Sequence, residues 1–178
     1  MANLIVPVSA HDHVRGPENA PLTLVQYGDF QCPHCAAAYE EVAAIANELS
    51  DSLRLVLRHF PIAQVHPQAQ RAAEAAEAAA SQGRFWDTAS LLYENQEELD
   101  DHSLGRYARK AGLDLKRFKK EVSSGVHVPR VRADYLGGVR SGVNGTPTFF
   151  INGKRYEGTF KSEAFVAALL NESRSVQR

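Results

Sequence analysis

FQCPHC, Phe30-Gln31-Cys32-Pro33-His34-Cys35, contains both cysteines of a chain of 178 residues. Three chemistries compete for such a pair: a structural disulfide, half of a metal site, or a dithiol that cycles. A bridge between Cys32 and Cys35 closes almost no loop, and loop closure is where a structural disulfide gains its stabilisation. Disulfide scaffolds also carry several pairs in short secreted chains. A metal site needs more ligands than one CxxC supplies. His11 and His13 in HDH would complete a Cys2His2 set, but the spacing matches no common zinc module, and an HxH in a leading segment reads as solvated. The cycling dithiol is the reading left standing.

The flanking sequence supports it. PLTLVQYGDF (residues 21–30) reads as a buried strand, with Leu22, Leu24 and Gln26 facing one way and Thr23, Val25 and Tyr27 the other. AAAYEEVAAIANEL (36–49) is strongly helix-forming, with Tyr39, Val42, Ala43, Ile45, Ala46 and Leu49 on its apolar face. Cys32 therefore sits where a strand hands over to a helix. Unpaired N–H groups and the positive end of the helix dipole favour a thiolate there. Pro33 suits the first helical turn, which needs no N–H from it. Cys35 follows one turn later and deeper. His34 either adds a donor near the developing thiolate or is a solvated turn residue.

This stretch resembles the active site of DsbA-type thiol–disulfide oxidoreductases of the thioredoxin superfamily, in which CPHC is a characteristic choice. A distant segment, GVNGTPTFFING (residues 142–153), resembles the loop that faces the CxxC in those proteins. The resemblance implies a cis bond at Thr146-Pro147 and a substrate platform at Thr146 and Pro147, where an extended peptide pairs with free backbone groups. It also implies that Cys32 attacks, or is attacked, through a mixed disulfide that Cys35 resolves. The chain departs from the family at residue 26. The superfamily commonly has a carboxylate six positions before the first cysteine, serving proton exchange with the second; Gln26 stands there and cannot titrate.

The implied architecture is α/β: a thioredoxin fold, with a central mixed sheet flanked by helices, carrying an all-helical insertion. Residues 1–61 and 143–178 form the thioredoxin-like part, with 1–19 as a lead-in, and 62–142 form the insertion. SLRLVLRHFP (52–61) is a second apolar strand, and TFFING and KRYEG (148–158) alternate about an Asn152-Gly153 hairpin turn. Ser162 caps a last helix, EAFVAALL, ending at Asn171. Between them the pattern is helical throughout. An alanine-rich helix (66–83) has Pro67 in its first turn and Gly83 after it. Further helices follow over residues 84–96, 104–112, 113–125 and 128–142.

Formal net charge is −1 with both signs interspersed, so no basic face points to nucleic acid or an anionic membrane. No apolar run reaches the roughly 20 residues of a membrane helix, so membrane insertion is not expected. MANLIVPVSA has no basic residue ahead of its short apolar patch, so the expected location is cytoplasmic, or extracytoplasmic if an export signal has been removed. The expected partners are cysteine-containing protein substrates and a redox recycling partner. No cofactor beyond the Cys32–Cys35 pair and no metal is expected. Two other functions remain open: a peptide-binding module on the same fold without redox turnover, and a metal carrier built on the CxxC.

Overall fold

The computed structural model describes residues 2–161 and 163–176, with side chains up to Glu172. In chain order the elements are β1 (His13–Arg15), β2 (Leu22–Gly28), α1 (Pro33–Glu48), β3 (Leu53–His59), α2 (Ala69–Ala80) and α3 (Phe85–Glu94). They continue as α4 (Asp101–Lys110), α5 (Leu115–Ser124), α6 (Val128–Arg140), β4 (Thr148–Ile151), β5 (Lys154–Tyr156) and α7 (Glu163–Val176). The five strands form one mixed sheet in the order β1-β3-β2-β4-β5. β2 and β3 run parallel, joined by a crossover through α1, and the outer pairings are antiparallel. This is the thioredoxin fold with helices on the sheet, and α2 to α6 lie in the connection between β3 and β4.

Period-two alternation decides what each face meets. Leu22 and Leu24 of β2 pack with Ala38, Val42 and Ile45 of α1 and with Phe165 and Leu169 of α7. Val25 and Tyr27 turn the other way, toward Val56, Phe60, Val143 and Phe150. A third cluster joins Cys32 and Cys35 to Ala72, Ala76, Leu92, Leu104 and Phe118 of the helical segment. The cysteines thus share a core with the insertion. Helix α2 runs through its middle: Ala72 to Ala79 are all buried, and alanine lets neighbouring helices approach closely on every side.

Several local expectations need correction. Pro67 is not in the first turn of α2; the helix begins at Ala69, after a turn in which the Ala69 N–H donates to the His66 carbonyl. Helix α4 starts at Asp101 rather than at residue 104, because the Asp100 carboxylate caps it by accepting from the N–H groups of His102 and Ser103. The last helix continues past Asn171 to Val176, and its expected cap, Ser162, lies outside the described residues. The hairpin turn is as read: Asn152 and Gly153 take φ of 47° and 82°, the left-handed values a two-residue turn requires.

The lead-in departs most from its sequence reading. Residues 13–15 are a strand, and the segment before them crosses the Val25/Tyr27 face of the sheet, where Leu4 and Val8 pack. At the far edge the Leu4 N–H donates to the Gly153 carbonyl and the Arg155 N–H to the Ala2 carbonyl. Arg58 of β3 holds the middle. Its guanidinium donates to both Asp12 carboxylate oxygens at 2.7 and 2.9 Å and to the carbonyls of Val6 and Pro7. Asp12 and Arg58 are 4% and 3% exposed, so this is a buried, fully bonded ion pair.

Candidate active site

Cys32 is the N-cap of α1, with extended backbone (φ −78°, ψ 120°), and Pro33 opens the helix. Its N–H donates to the Asp29 carbonyl, and its own carbonyl accepts from Cys35 and Ala36. The Asp29 side chain fixes this corner. Its carboxylate accepts from the N–H groups of Gln31 and Ile62, both at 2.8 Å, and bonds His66 Nδ1 at 2.8 Å. Opposite lies the strand-opening loop, whose Thr146–Pro147 peptide is cis. The Cys32 sulfur lies 3.5 Å from the Thr146 carbonyl, to which it donates when protonated.

Both thiols are free, and their environments differ. A hydrogen bond from the Cys35 thiol is the leading cause that lowers Cys32 to about 5. The Thr146 hydroxyl and the N–H groups of Cys35 and His34 lower it further, while burial opposes them. The Thr146 hydroxyl, beside the sulfur, is buried and has no hydrogen-bond partner. Cys35 is pushed well above an ordinary thiol, first by burial and then by its bond to Cys32. One sulfur is held as a thiolate and its neighbour as a thiol. Such a pair can attack a disulfide with the first sulfur and keep a proton on the second.

Cys32 itself lies buried. It is 4% exposed and Cys35 fully enclosed, because Phe30, the Thr146 loop and the helical segment close around the pair. The His34 side chain is exposed, and what reaches Cys32 is its backbone N–H. Pro33 is likewise exposed, and Pro147 is half-buried.

Gln26 lies on the face of β2 that carries Leu22 and Leu24, one step nearer the cysteine end of α1. It is 1% exposed, and its side-chain amide nitrogen has no hydrogen-bond partner. Two residues on, Gly28 is required by Tyr93. A methyl group there would meet the Tyr93 hydroxyl at 2.7 Å and the Leu57 side chain at 3.2 Å.

Two residues of the insertion act on the loop that sequence reading missed. Gln96, after α3, donates its amide to the carbonyls of both Phe30 and Cys32, each at 2.8 Å. The Gln68 N–H donates to the Gln31 side chain at 2.8 Å. Their separation from the CxxC, 64 to 66 positions for Gln96 and 37 for Gln68, removes any local pattern that could have flagged them. His11 is exposed as expected. His13 is not a solvated leader residue: it stacks on Phe85 and bonds Glu77. Among the described residues, the grouping of potential metal ligands is His13, His59 and Glu77, and it includes neither cysteine. No helix among them is long and apolar enough to cross a membrane.

Comparison with known proteins agrees with this fold. The chain is 46% identical over 170 residues to Na(+)/H(+) antiporter NhaA 3 of Salinispora tropica, covering 95% of this chain and 26% of that protein. It is 42% identical over 163 residues to the NhaA antiporter of Herminiimonas arsenicoxydans, covering 92% and 26%. The chain thus spans about a quarter of the length of these curated relatives. Among solved structures, oxidised BdbD from Bacillus subtilis superposes with a TM-score of 0.87 at 20% identity, covering 97% of this chain and 98% of that one. A thioredoxin-like oxidoreductase from Silicibacter pomeroyi DSS-3 gives 0.79 at 26% identity, covering 94% of each. Alpha-DsbA1 from Wolbachia pipientis gives 0.81 at 18%, covering 98% and 96%. The family model described as Thioredoxin matches residues 9–171, nearly the whole described fold with both cysteines and the Thr146–Pro147 loop, and the chain belongs to that thioredoxin family.

Proposed function

We propose that the protein is a thiol–disulfide oxidoreductase, DsbA-like in its CPHC pair, that exchanges disulfides with cysteine-containing proteins. The observation that carries this reading is the opposed treatment of two adjacent thiols: Cys32 lowered to about 5 and Cys35 pushed well up. In the reducing direction the Cys32 thiolate attacks a substrate disulfide, and one substrate sulfur leaves and takes a proton. Cys35 then loses its proton and attacks Cys32, releasing the second substrate thiol. The substrate gains two electrons, and the Cys32–Cys35 disulfide forms. In the oxidising direction a substrate thiolate attacks Cys32 of that disulfide and expels Cys35. Lowering Cys32 makes it a better leaving group, which favours oxidation of substrates.

Thr146 and Pro147 form the platform that aligns an extended substrate beside Cys32. A separate redox partner recycles the pair, and no bound cofactor takes part. The test is insulin reduction together with oxidation of a reduced, unfolded substrate. Wild type should catalyse both, and Cys32→Ser neither. Cys35→Ser should accumulate mixed disulfides on non-reducing gels that dithiothreitol clears. A folded Cys35→Ser protein without such adducts would point instead to a peptide-binding module.

A further inference from the structure

We propose that His13, His59 and Glu77 form a binding site for one divalent transition-metal ion, zinc being the ion whose chemistry fits best. The site is separate from the cysteine pair and does not depend on the redox reading. Nε2 of His13 and Nε2 of His59 converge on the same Glu77 oxygen, Oε1, at 2.6 and 2.7 Å. All three donor atoms lie within 4.8 Å of one another. They come from three elements that the fold brings together for other reasons: edge strand β1, the end of β3, and the last turn of α2.

The donor set selects the ion. Calcium and magnesium call for oxygen ligands, whereas two imidazoles and a carboxylate suit zinc, cobalt or nickel. The rings are already held in place. His13 stacks on Phe85 at 3.6 Å with planes 9° apart. His59 lies against Phe30 and Phe85 with centroids 5.9 and 6.0 Å away. A ligand set fixed by packing loses little entropy when it closes on an ion. The carboxylate also sits where water cannot neutralise it, since the Glu77, His59 and His13 side chains are 7%, 2% and 12% exposed.

Tetrahedral zinc, with ligands at about 2.0–2.2 Å, spaces them roughly 3.3–3.5 Å apart, so loading must open the present contacts by several tenths of an ångström. The movable ligand is His13, on a three-residue edge strand and the most exposed of the three. Three protein ligands plus water is a coordination zinc commonly takes.

The test uses the full chain with Cys32→Ser and Cys35→Ser, which removes thiolate ligands. Cobalt(II) is the optical probe, zinc its competitor, and thermal unfolding a second readout. One cobalt per chain should bind, with tetrahedral d–d absorption and no sulfur charge-transfer band, and zinc should displace it. Zinc should also raise the unfolding temperature. His13→Ala, at the partly exposed edge, should weaken cobalt binding roughly tenfold or more and abolish the thermal shift. Glu77→Gln should do the same. Either of two results overturns the proposal: no spectrum and no thermal shift with metal in excess, or unchanged affinity in a folded His13→Ala protein.

Discussion

At Cys32 a few donors outweigh burial. A sulfur enclosed to 4% exposure should on desolvation grounds be a poor acid, yet it is lowered to about 5. The thiolate absorbance of the reduced protein should therefore titrate with a midpoint near 5, and iodoacetamide at neutral pH should label Cys32 and leave Cys35 untouched. Thr146→Val removes the hydroxyl and keeps the shape, so the midpoint should rise; an unmoved midpoint would show that the hydroxyl does not serve the sulfur. Gln26→Glu places a carboxylate where an amide nitrogen now has no partner. Burial should raise the pKa of that carboxylate, and once ionised it should disfavour the Cys32 thiolate and raise its midpoint too. An unchanged Cys32 titration in that variant would mean that residue 26 does not face the sulfurs. The cysteines, Pro147 and the departure at Gln26 could be read from local sequence. Glu77 could not, because in an alanine-rich helix it looks like one more solvated acid.

Among the elements, the loop from Phe30 to Cys32 is held from outside as much as by its own helix. Gln96 spends both amide hydrogens on its carbonyls, and Gln68 pins Gln31. Gln96→Ala should cost about 1–3 kcal/mol in chemical denaturation, because it strips a donor from two partly buried carbonyls. The same variant should slow insulin reduction and raise the Cys32 midpoint, since the N–H groups aimed at the sulfur lose their support. A stability loss alone would reduce Gln96 to a structural role. The strands and helices here follow their periodicity, with two instructive exceptions. Pro67 looks like a helix opener, but the turn closed on His66 delays α2. The three residues of β1 have no partner alternation to announce them, and only the edge of β3 makes them a strand.

For the whole molecule, the two thiols set a pH window. Because Cys32 is lowered by folding, its contribution to the stability of the reduced form is lost below about 5, grows as pH rises, and is complete near 9, the ordinary thiol value. Cys35, pushed up, works oppositely and contributes only a penalty above the unfolded thiol range. The reduced protein should gain on the oxidised one between these limits, by on the order of 2 kcal/mol at pH 7, measured as the difference between their denaturation curves. The buried Arg58–Asp12 pair gives a second test at this scale. Arg58→Met strands the Asp12 carboxylate and should cost about 3–5 kcal/mol, whereas replacing both partners by apolar residues should cost much less.

The strap that crosses the sheet carries one more consequence. A segment of a dozen residues pairs with β5 through Asn3 and with β3 through His13, so one stretch of chain seals both open margins of the sheet. Unsealed margins are templates for joining another molecule's strand. Removing residues 2–15 should uncover both margins, seen as light scattering that grows with concentration. That result would make the strap a guard against self-association, and scattering equal to that of the intact chain would deny it the role.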